Sequence, residues 1–117
     1  MISARVLVRW KRGAKSIAEF VPGDEVLTYK GLKPVKRVVR HDYEGNIYYM
    51  HKGEWVAPGQ LFLKAALTWQ SAEQIFRNSL PYKGPMWDLE IDTDDPEARN
   101  YTLANGRIAR GSVTQTN

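Results

Sequence analysis

The sequence contains no cysteine. This absence excludes disulfide bonds, thiolate zinc sites and a cysteine nucleophile. No apolar run approaches the roughly 18 residues that a membrane-spanning helix needs, so no membrane partner is expected. The start of the chain does not have the pattern of a signal peptide, because Arg9, Lys11 and Arg12 follow its short apolar stretch at once. A cytoplasmic location is the expectation for a cellular protein.

The residues that usually carry metal or phosphate chemistry are also scarce. The two histidines, His41 and His51, lie beside charged residues and turns and are predicted to be surface residues. The acidic stretch at 92–97 lacks the glycine and the distal glutamate of a calcium loop and is predicted to be a hairpin tip. There is no glycine-rich phosphate loop and no serine in an elbow motif. Neither a metal nor a cofactor is therefore expected.

Many short β-type stretches are present instead, separated by turn residues every 8–12 positions. Clear examples are residues 6–10, 25–29 and 86–91, in which apolar and polar residues alternate. This spacing is typical of an all-β fold. The stretch 71–76 predicts one short helix, because Ser71 suits an N-cap and the apolar residues after it share a face.

Three details of the strand pattern are less regular. Residues 32–41 predict a strand with one irregularity, because valines alternate imperfectly with lysines and arginines. Residues 44–46, Glu-Gly-Asn, predict a hairpin turn. Residues 81–85 contain two prolines and a glycine and predict a loop.

The charge is unevenly distributed along the chain. Residues 1–40 hold ten Lys and Arg against three Asp and Glu, whereas residues 41–117 hold seven against ten. The ordinary interpretation is a set of solvated strand faces. A second interpretation is a nucleic-acid surface made of basic residues beside tyrosines. Its members are Lys33, Lys36, Arg37, Arg40, Tyr29, Tyr48 and Tyr49.

Three stretches in order resemble the Hint domain of hedgehog and intein-type proteins. Residues 15–27 contain Ile-Ala-Glu-Phe-Val-Pro-Gly-Asp-Glu-Val, which is similar to the family's I-x-E-L-x-P-G-D-x-V. Residues 55–63 and 68–75 resemble the V-T-P-x-H-x-F block and the segment that follows it. Residues 87–91 and 100–108, with Asp-Leu-Glu-Ile before Ala-Asn-Gly, resemble the closing block. The resemblance implies an all-β, horseshoe-shaped Hint (intein-like) fold over residues 1–112. Residues 113–117 are mostly polar and are predicted to form a flexible C-terminal tail.

The resemblance also implies where self-processing chemistry would lie. The family uses an initial Cys or Ser, a Thr and a His in the second block, a closing His–Asn pair and a nucleophile after it. The corresponding positions here are Met1, Ala57, Gln60, Arg110, Gly111 and Ser112. Ala57 and Gly111 bring no reactive side chain, and Gln60 cannot shuttle protons at neutral pH. The positions are therefore interpreted as vestigial, and the chain is expected not to be an enzyme.

The leading hypothesis is a non-catalytic, structural Hint-like domain that binds other protein subunits in a larger assembly. Met1 and the polar tail favour an independent gene product. A component of a bacteriophage virion, at the head, neck or tail, is the specific expectation, with a location in the virion or the host cytoplasm. The alternatives are a nucleic-acid-binding small β-barrel and a residual self-processing domain that splices or cleaves itself.

Overall fold

The computed structural model describes residues 1–113, which form ten strands, one α-helix and three 3-10 turns. The strands are β1 Leu7–Trp10, β2 Gly13–Ser16, β3 Glu25–Thr28, β4 Gly31–His51, β5 Glu54–Val56, β6 Leu61–Lys64, β7 Thr68–Ser71, β8 Ser79–Ile91, β9 Asn100–Thr102 and β10 Ile108–Arg110. The helix α1 is Ala72–Ile75, and the 3-10 turns are Ile17–Glu19, Ala65–Leu67 and Pro96–Ala98. The prediction of an all-β fold with one short helix is confirmed. Within the predicted tail only Val113, which is exposed, belongs to the described part, and residues 114–117 lie outside it.

The strands form two sheets that curl into a half-barrel. One sheet has the order β2-β1-β3-β4-β5, with β8 added to β4. The other has the order β7-β6-β10-β9. Every strand pair in the two sheets is antiparallel. The 21-residue strand β4 connects the first sheet, because it pairs with β3 at its start, with β8 along its length and with β5 at its end.

The long β4–β8 ribbon contradicts two sequence expectations. The predicted hairpin turn at 44–46 and the predicted loop at 81–85 are both wrong, because these segments lie opposite each other inside the ribbon. The glycines there are covered by tyrosines. The Tyr43 hydroxyl donates to the Asn46 carbonyl at 2.8 Å, and the Tyr82 hydroxyl donates to the Pro85 carbonyl at 2.9 Å. The predicted irregularity in residues 32–41 is confirmed as a register shift between Val35 and Arg37.

Two apolar clusters fill the interior. The larger contains Phe62 and Tyr101, its two bulkiest fully buried side chains, with aliphatic residues from β1, β3, β4, β5 and β8. The smaller contains Ile47, Ala57 and Met86 and lies against the ribbon. Burial of such side chains supplies most of the free energy that favours folding. None of the helices in residues 1–113 has the length and apolar character needed to cross a bilayer.

The Pro-Gly-Asp turn before β3 is held by one carboxylate. Asp24 accepts a hydrogen bond from Lys15 Nζ at 2.6 Å and another from the Val21 backbone N–H at 3.0 Å. The Lys15 contact lowers the pKa of the Asp24 carboxyl below its usual value. The same ammonium lies 3.9 Å from the ring centre of Trp10, which packs edge-on against Phe20. This turn is therefore tied to the β1–β2 hairpin.

Candidate functional site

The positions named from the family resemblance meet at one end of the half-barrel. A cavity of about 190 Å³ is lined by residues from the chain start, the β5–β6 connection, β8 and the segment after β10, namely Met1, Gly59, Gln60, Leu61, Asp88, Arg110 and Gly111. Ala57 joins this group through its backbone N–H, which donates to the Met1 carbonyl at 2.9 Å. Ser112 joins it through a hydrogen bond to Asp88. The structure thus brings all six predicted positions together.

Gln60 connects the first residue with the last strand. Its side chain is 5% exposed, and its Oε1 accepts a hydrogen bond from the Met1 amino group at 2.6 Å. Its Nε2 donates to the Arg110 carbonyl at 3.1 Å and to the Leu61 carbonyl at 3.1 Å. A side-chain amide uses both its acceptor and its donor end in this way without changing protonation state. Gln60 therefore has a binding role between segments, and it supplies no acid or base.

The first two residues behave as a short additional strand. Ile2 exchanges two backbone hydrogen bonds with Trp87, with N···O distances of 2.8 and 2.7 Å, and forms a bridge to Val56. The Met1 amino group is buried next to this bridge, and desolvation lowers its pKa while the nearby Asp88 charge opposes that shift. The chain start is thus fixed between β5 and β8.

Asp88 is the central charged group of the site, and the sequence assigned it no role. Asp88 is 8% exposed. Its Oδ1 accepts hydrogen bonds from the Tyr101 hydroxyl at 2.7 Å and the Leu89 N–H at 2.9 Å. Its Oδ2 accepts a hydrogen bond from Ser112 Oγ at 2.6 Å. Burial, followed by the effect of Asp88, raises the pKa of Tyr101 well above its usual value, so this hydroxyl stays a donor.

A signal for Asp88 was nevertheless present in the alternation of β8. Trp87, Leu89 and Ile91 occupy one face of the strand, so Asp88 and Glu90 share the other. A solvated face is the usual interpretation of such a pattern, yet both carboxylates are buried. The packing of the segment after β10 against β8 accounts for this, and it is a tertiary feature that alternation does not encode.

Gly111 lies where β8 and the final segment approach most closely. Its N–H donates to the Arg99 carbonyl at 2.9 Å, and the next N–H, of Ser112, donates to the Leu89 carbonyl at 2.9 Å. A Cβ atom on Gly111 would lie 2.7 Å from the Leu89 carbonyl oxygen. The family's asparagine therefore has no room at this position unless the backbone moves. Glycine fits this position without displacing the neighbouring backbone.

Ser112 and Asp88 form the one pair of hydrogen-bonded side chains at these positions that combines a nucleophile type with a carboxylate. Ser112 is a hydroxyl nucleophile by type, and its hydrogen bond to a carboxylate is the contact that activates such groups. Ala57, Gln60 and Gly111 provide neither a proton shuttle nor a cyclising side chain. Removal of a proton from Ser112 is thus the step that the side chains here can assist.

The other residues singled out in the sequence lie elsewhere. His41 and His51 are both exposed, and residues 1–113 contain no group of three or more His, Asp and Glu arranged to hold a metal ion. Asp95 in the acidic stretch caps the Pro96–Ala98 turn by accepting from the Glu97 N–H at 2.9 Å. That carboxylate thus stabilises its own loop.

The predicted basic surface is partly neutralised by acids. Arg37 and Lys36 both contact the buried carboxylate of Glu90, with N···O distances of 2.7 and 3.7 Å. Arg40 contacts Asp42 at 3.2 Å. These ion pairs reduce the charge that β4 presents to a phosphate backbone.

Comparison with known proteins identifies the architecture. The Ssp DnaB mini-intein variant M86 superposes with a TM-score of 0.72 at 15% identity, covering 99% of this chain and 96% of that protein. The DnaB intein from Synechocystis sp. PCC 6803 gives a TM-score of 0.71 at 14% identity, with 96% and 98% covered. The bacterial intein-like domain from Clostridium thermocellum gives 0.70 at 8% identity, with 92% and 94% covered. No family model and no curated protein sequence matches the chain.

The chain therefore has a Hint-type, intein-like fold, as the resemblance implied. At these identities the likeness shows the fold alone. The expectation that the chain is not an enzyme is contradicted, because its structural neighbours are inteins, which carry protein-splicing activity. Inactivity therefore does not follow from the side chains that are missing at Met1, Ala57, Gln60, Arg110 and Gly111.

The close approach at Gly111 gives a direct stability test. Gly111→Ala places a methyl group against the Leu89 carbonyl, so the free energy of unfolding should fall by about 1–3 kcal/mol. Gly59→Ala is the matched control, because a Cβ there meets no atom within 4 Å, and its change should stay within about 0.5 kcal/mol. Urea unfolding followed by tryptophan fluorescence measures both. Equal stability of the two variants would contradict the described path of the last segment.

Proposed function

We propose that the chain is a Hint-fold assembly component that binds other protein subunits. The observation that carries this proposal is that the site residues Gln60 and Asp88 hydrogen-bond to other segments of the same fold. Gln60 binds Met1 and Arg110, and Asp88 binds Ser112, so these side chains join separate segments of the fold. A domain held together by such internal contacts suits a building block whose outer surface meets its neighbours.

The charged surface supports contact with protein subunits. Asp92 and Asp94 are exposed at the end of β8 and form no ion pair within residues 1–113. Lys33 on β4 likewise forms none among the described residues. Opposite charges left free on one small domain favour electrostatic docking onto complementary surfaces. The specific setting proposed is a bacteriophage particle, at the head, neck or tail, because small repurposed folds are common there.

The assembly proposal is tested by incorporation into a particle. A tagged copy is produced in the native host during particle formation, and particles are purified on a density gradient and analysed by quantitative mass spectrometry. The wild-type chain should be retained in fixed proportion to the major subunit. The double variant Asp92→Lys/Asp94→Lys should be retained at least about tenfold less, since like charges then face the docking partner.

The control for this experiment is Glu73→Lys, which changes an exposed charge on α1. It should be incorporated like the wild type. Recovery of the wild-type chain only at the top of the gradient, at the position of a free 13.4 kDa protein, would refute the proposal.

A second candidate function, self-processing, is favoured by the contact between Ser112 and Asp88. In this proposal Ser112 Oγ attacks the Gly111 carbonyl carbon while its proton passes to Asp88. The Gly111–Ser112 C–N bond breaks as the proton reaches the departing nitrogen, which leaves an ester between Gly111 and Ser112 Oγ. Water then hydrolyses the ester to a Gly111 carboxylate and a free Ser112 side chain. The result is cleavage at one bond, with no joining of flanking segments.

Intact-mass spectrometry tests this second candidate. Incubated protein should lose residues 112–117, and hydroxylamine should accelerate the loss and leave a hydroxamate on Gly111, because it traps esters. Ser112→Ala should abolish cleavage, and Asp88→Asn should slow it by about 100-fold. The control Ser79→Ala removes an exposed hydroxyl on β8 and should cleave normally. A constant mass with hydroxylamine present, or cleavage that persists in Ser112→Ala, would exclude this mechanism.

A further inference from the structure

Glu54 is a buried acid that the site described above does not use. It begins β5, directly after the Lys52-Gly53 turn, and is 8% exposed. Its Oε1 has no hydrogen-bond partner, and among the described residues it is the one buried side-chain oxygen or nitrogen in that state. Buried carboxylate oxygens in native proteins nearly always have partners, so an unpaired one needs an explanation.

Glu54 is also one of the residues that line a cavity. The cavity volume is about 410 Å³, and the lining consists of Glu54, the bases Arg5, His51 and Lys52, the apolar residues Leu7 and Ala104, and Asn105. This volume lies within the range of about 300–1,000 Å³ that is typical of small-molecule sites. The cavity shares no lining residue with the one at Gln60, and it does not depend on either proposed function.

The charged residues that line the cavity form no ion pairs with one another among the described residues. No ion pair in residues 1–113 joins Arg5, His51 or Lys52 to Glu54. Glu54 therefore has no cationic partner, and the three bases have no anionic partner among the described residues. Burial raises the pKa of Glu54 and the nearby His51 lowers it in part. A cationic group against Glu54 would favour its charged form.

Leu7 and Ala104 form the apolar part of the cavity lining. Leu7 is 44% exposed although it lies in the β1 strand, and its carbonyl accepts from the Ala104 N–H at 2.8 Å, which keeps the two residues side by side. Their side chains give the cavity a surface suited to an aliphatic group. A ligand that fits all three features needs a donor, an anionic group and an apolar substituent close together.

We propose that this cavity binds a free α-amino acid with an aliphatic side chain. The ammonium group donates to Glu54, the carboxylate lies between Arg5 and Lys52, and the side chain packs on Leu7 and Ala104. An ammonium or a carboxylate alone satisfies only one end of the cavity and leaves the other unpaired.

The test is titration of the ¹⁵N-labelled chain with L-leucine, followed by NMR. Leucine should shift the backbone amides of residues 5–7 and 51–54 in a saturable way below about 10 mM. N-acetyl-leucine lacks the ammonium and leucinamide lacks the carboxylate, so each should bind at least about tenfold more weakly. These comparisons use the unaltered protein and stay valid even if a variant folds poorly.

Two substitutions test whether Glu54 itself binds the ligand. Glu54→Gln should weaken leucine binding at least about tenfold, whereas Glu44→Gln, which changes an exposed acid on β4, should leave it unchanged. The dispersed spectrum of each variant checks that it is folded. Absence of saturable shifts with leucine, equal binding of either capped analogue, or unchanged affinity in folded Glu54→Gln would each overturn the proposal.

Discussion

The buried carboxylate of Asp88 is the constraint on which the arrangement of the chain ends depends. A carboxylate removed from water is costly unless hydrogen bonds replace its hydration. Asp88 obtains these bonds from Tyr101 on β9, from its neighbour Leu89 and from Ser112. The second sheet and the final segment must therefore both pack against β8. Loss of either contact would leave the charge partly unsatisfied, so the closed arrangement is favoured as a unit.

The β4–β8 ribbon provides the frame for this unit. Its thirteen residue pairs extend from Val35 and Ile91 to Tyr48 and Ser79. Toward its C-terminal end, β8 carries Trp87, whose backbone binds Ile2, and Asp88, whose side chain binds Ser112. One strand thus receives both the first and the last described segments. Gln60 also joins the chain start to β10, through its hydrogen bonds with Met1 and Arg110.

Local patterns in the sequence predicted much of the fold. Alternation located most short strands, and Ser71 marked the start of the helix, where its N–H donates to Gln74 Oε1 at 3.0 Å. The errors fell on Gly45 and on the residues between Pro81 and Pro85, which usually interrupt strands. Here tyrosines two positions away cover Gly45 and Gly84. Over residues 79–85, β8 pairs with β4 alone, which leaves an edge that tolerates proline. Such compensation depends on the partner strand, so it is absent from any local window.

The site was predicted only by position. The resemblance led to Met1, Gln60, Gly111 and Ser112, and the structure places them together. Alternation in β8 placed Asp88 on the face opposite Trp87 but did not indicate its burial. That burial, the close contact at Gly111 and the unpaired state of Glu54 depend on tertiary packing. The expectation that the chain is not an enzyme rested on missing side chains alone, and the intein neighbours contradict it.

Native-state amide hydrogen exchange tests most directly whether the end segments are held as a unit. The N–H groups of Ile2, Gly111 and Ser112 all donate to backbone carbonyls. If the unit is closed, their protection should lie within about tenfold of that of core amides such as Tyr101. Gln60→Met should lower protection at Ile2 and Gly111 together, while Tyr101 keeps its own. Exchange of Gly111 and Ser112 at the rate of unprotected amides, beside a fully protected Tyr101, would contradict this description.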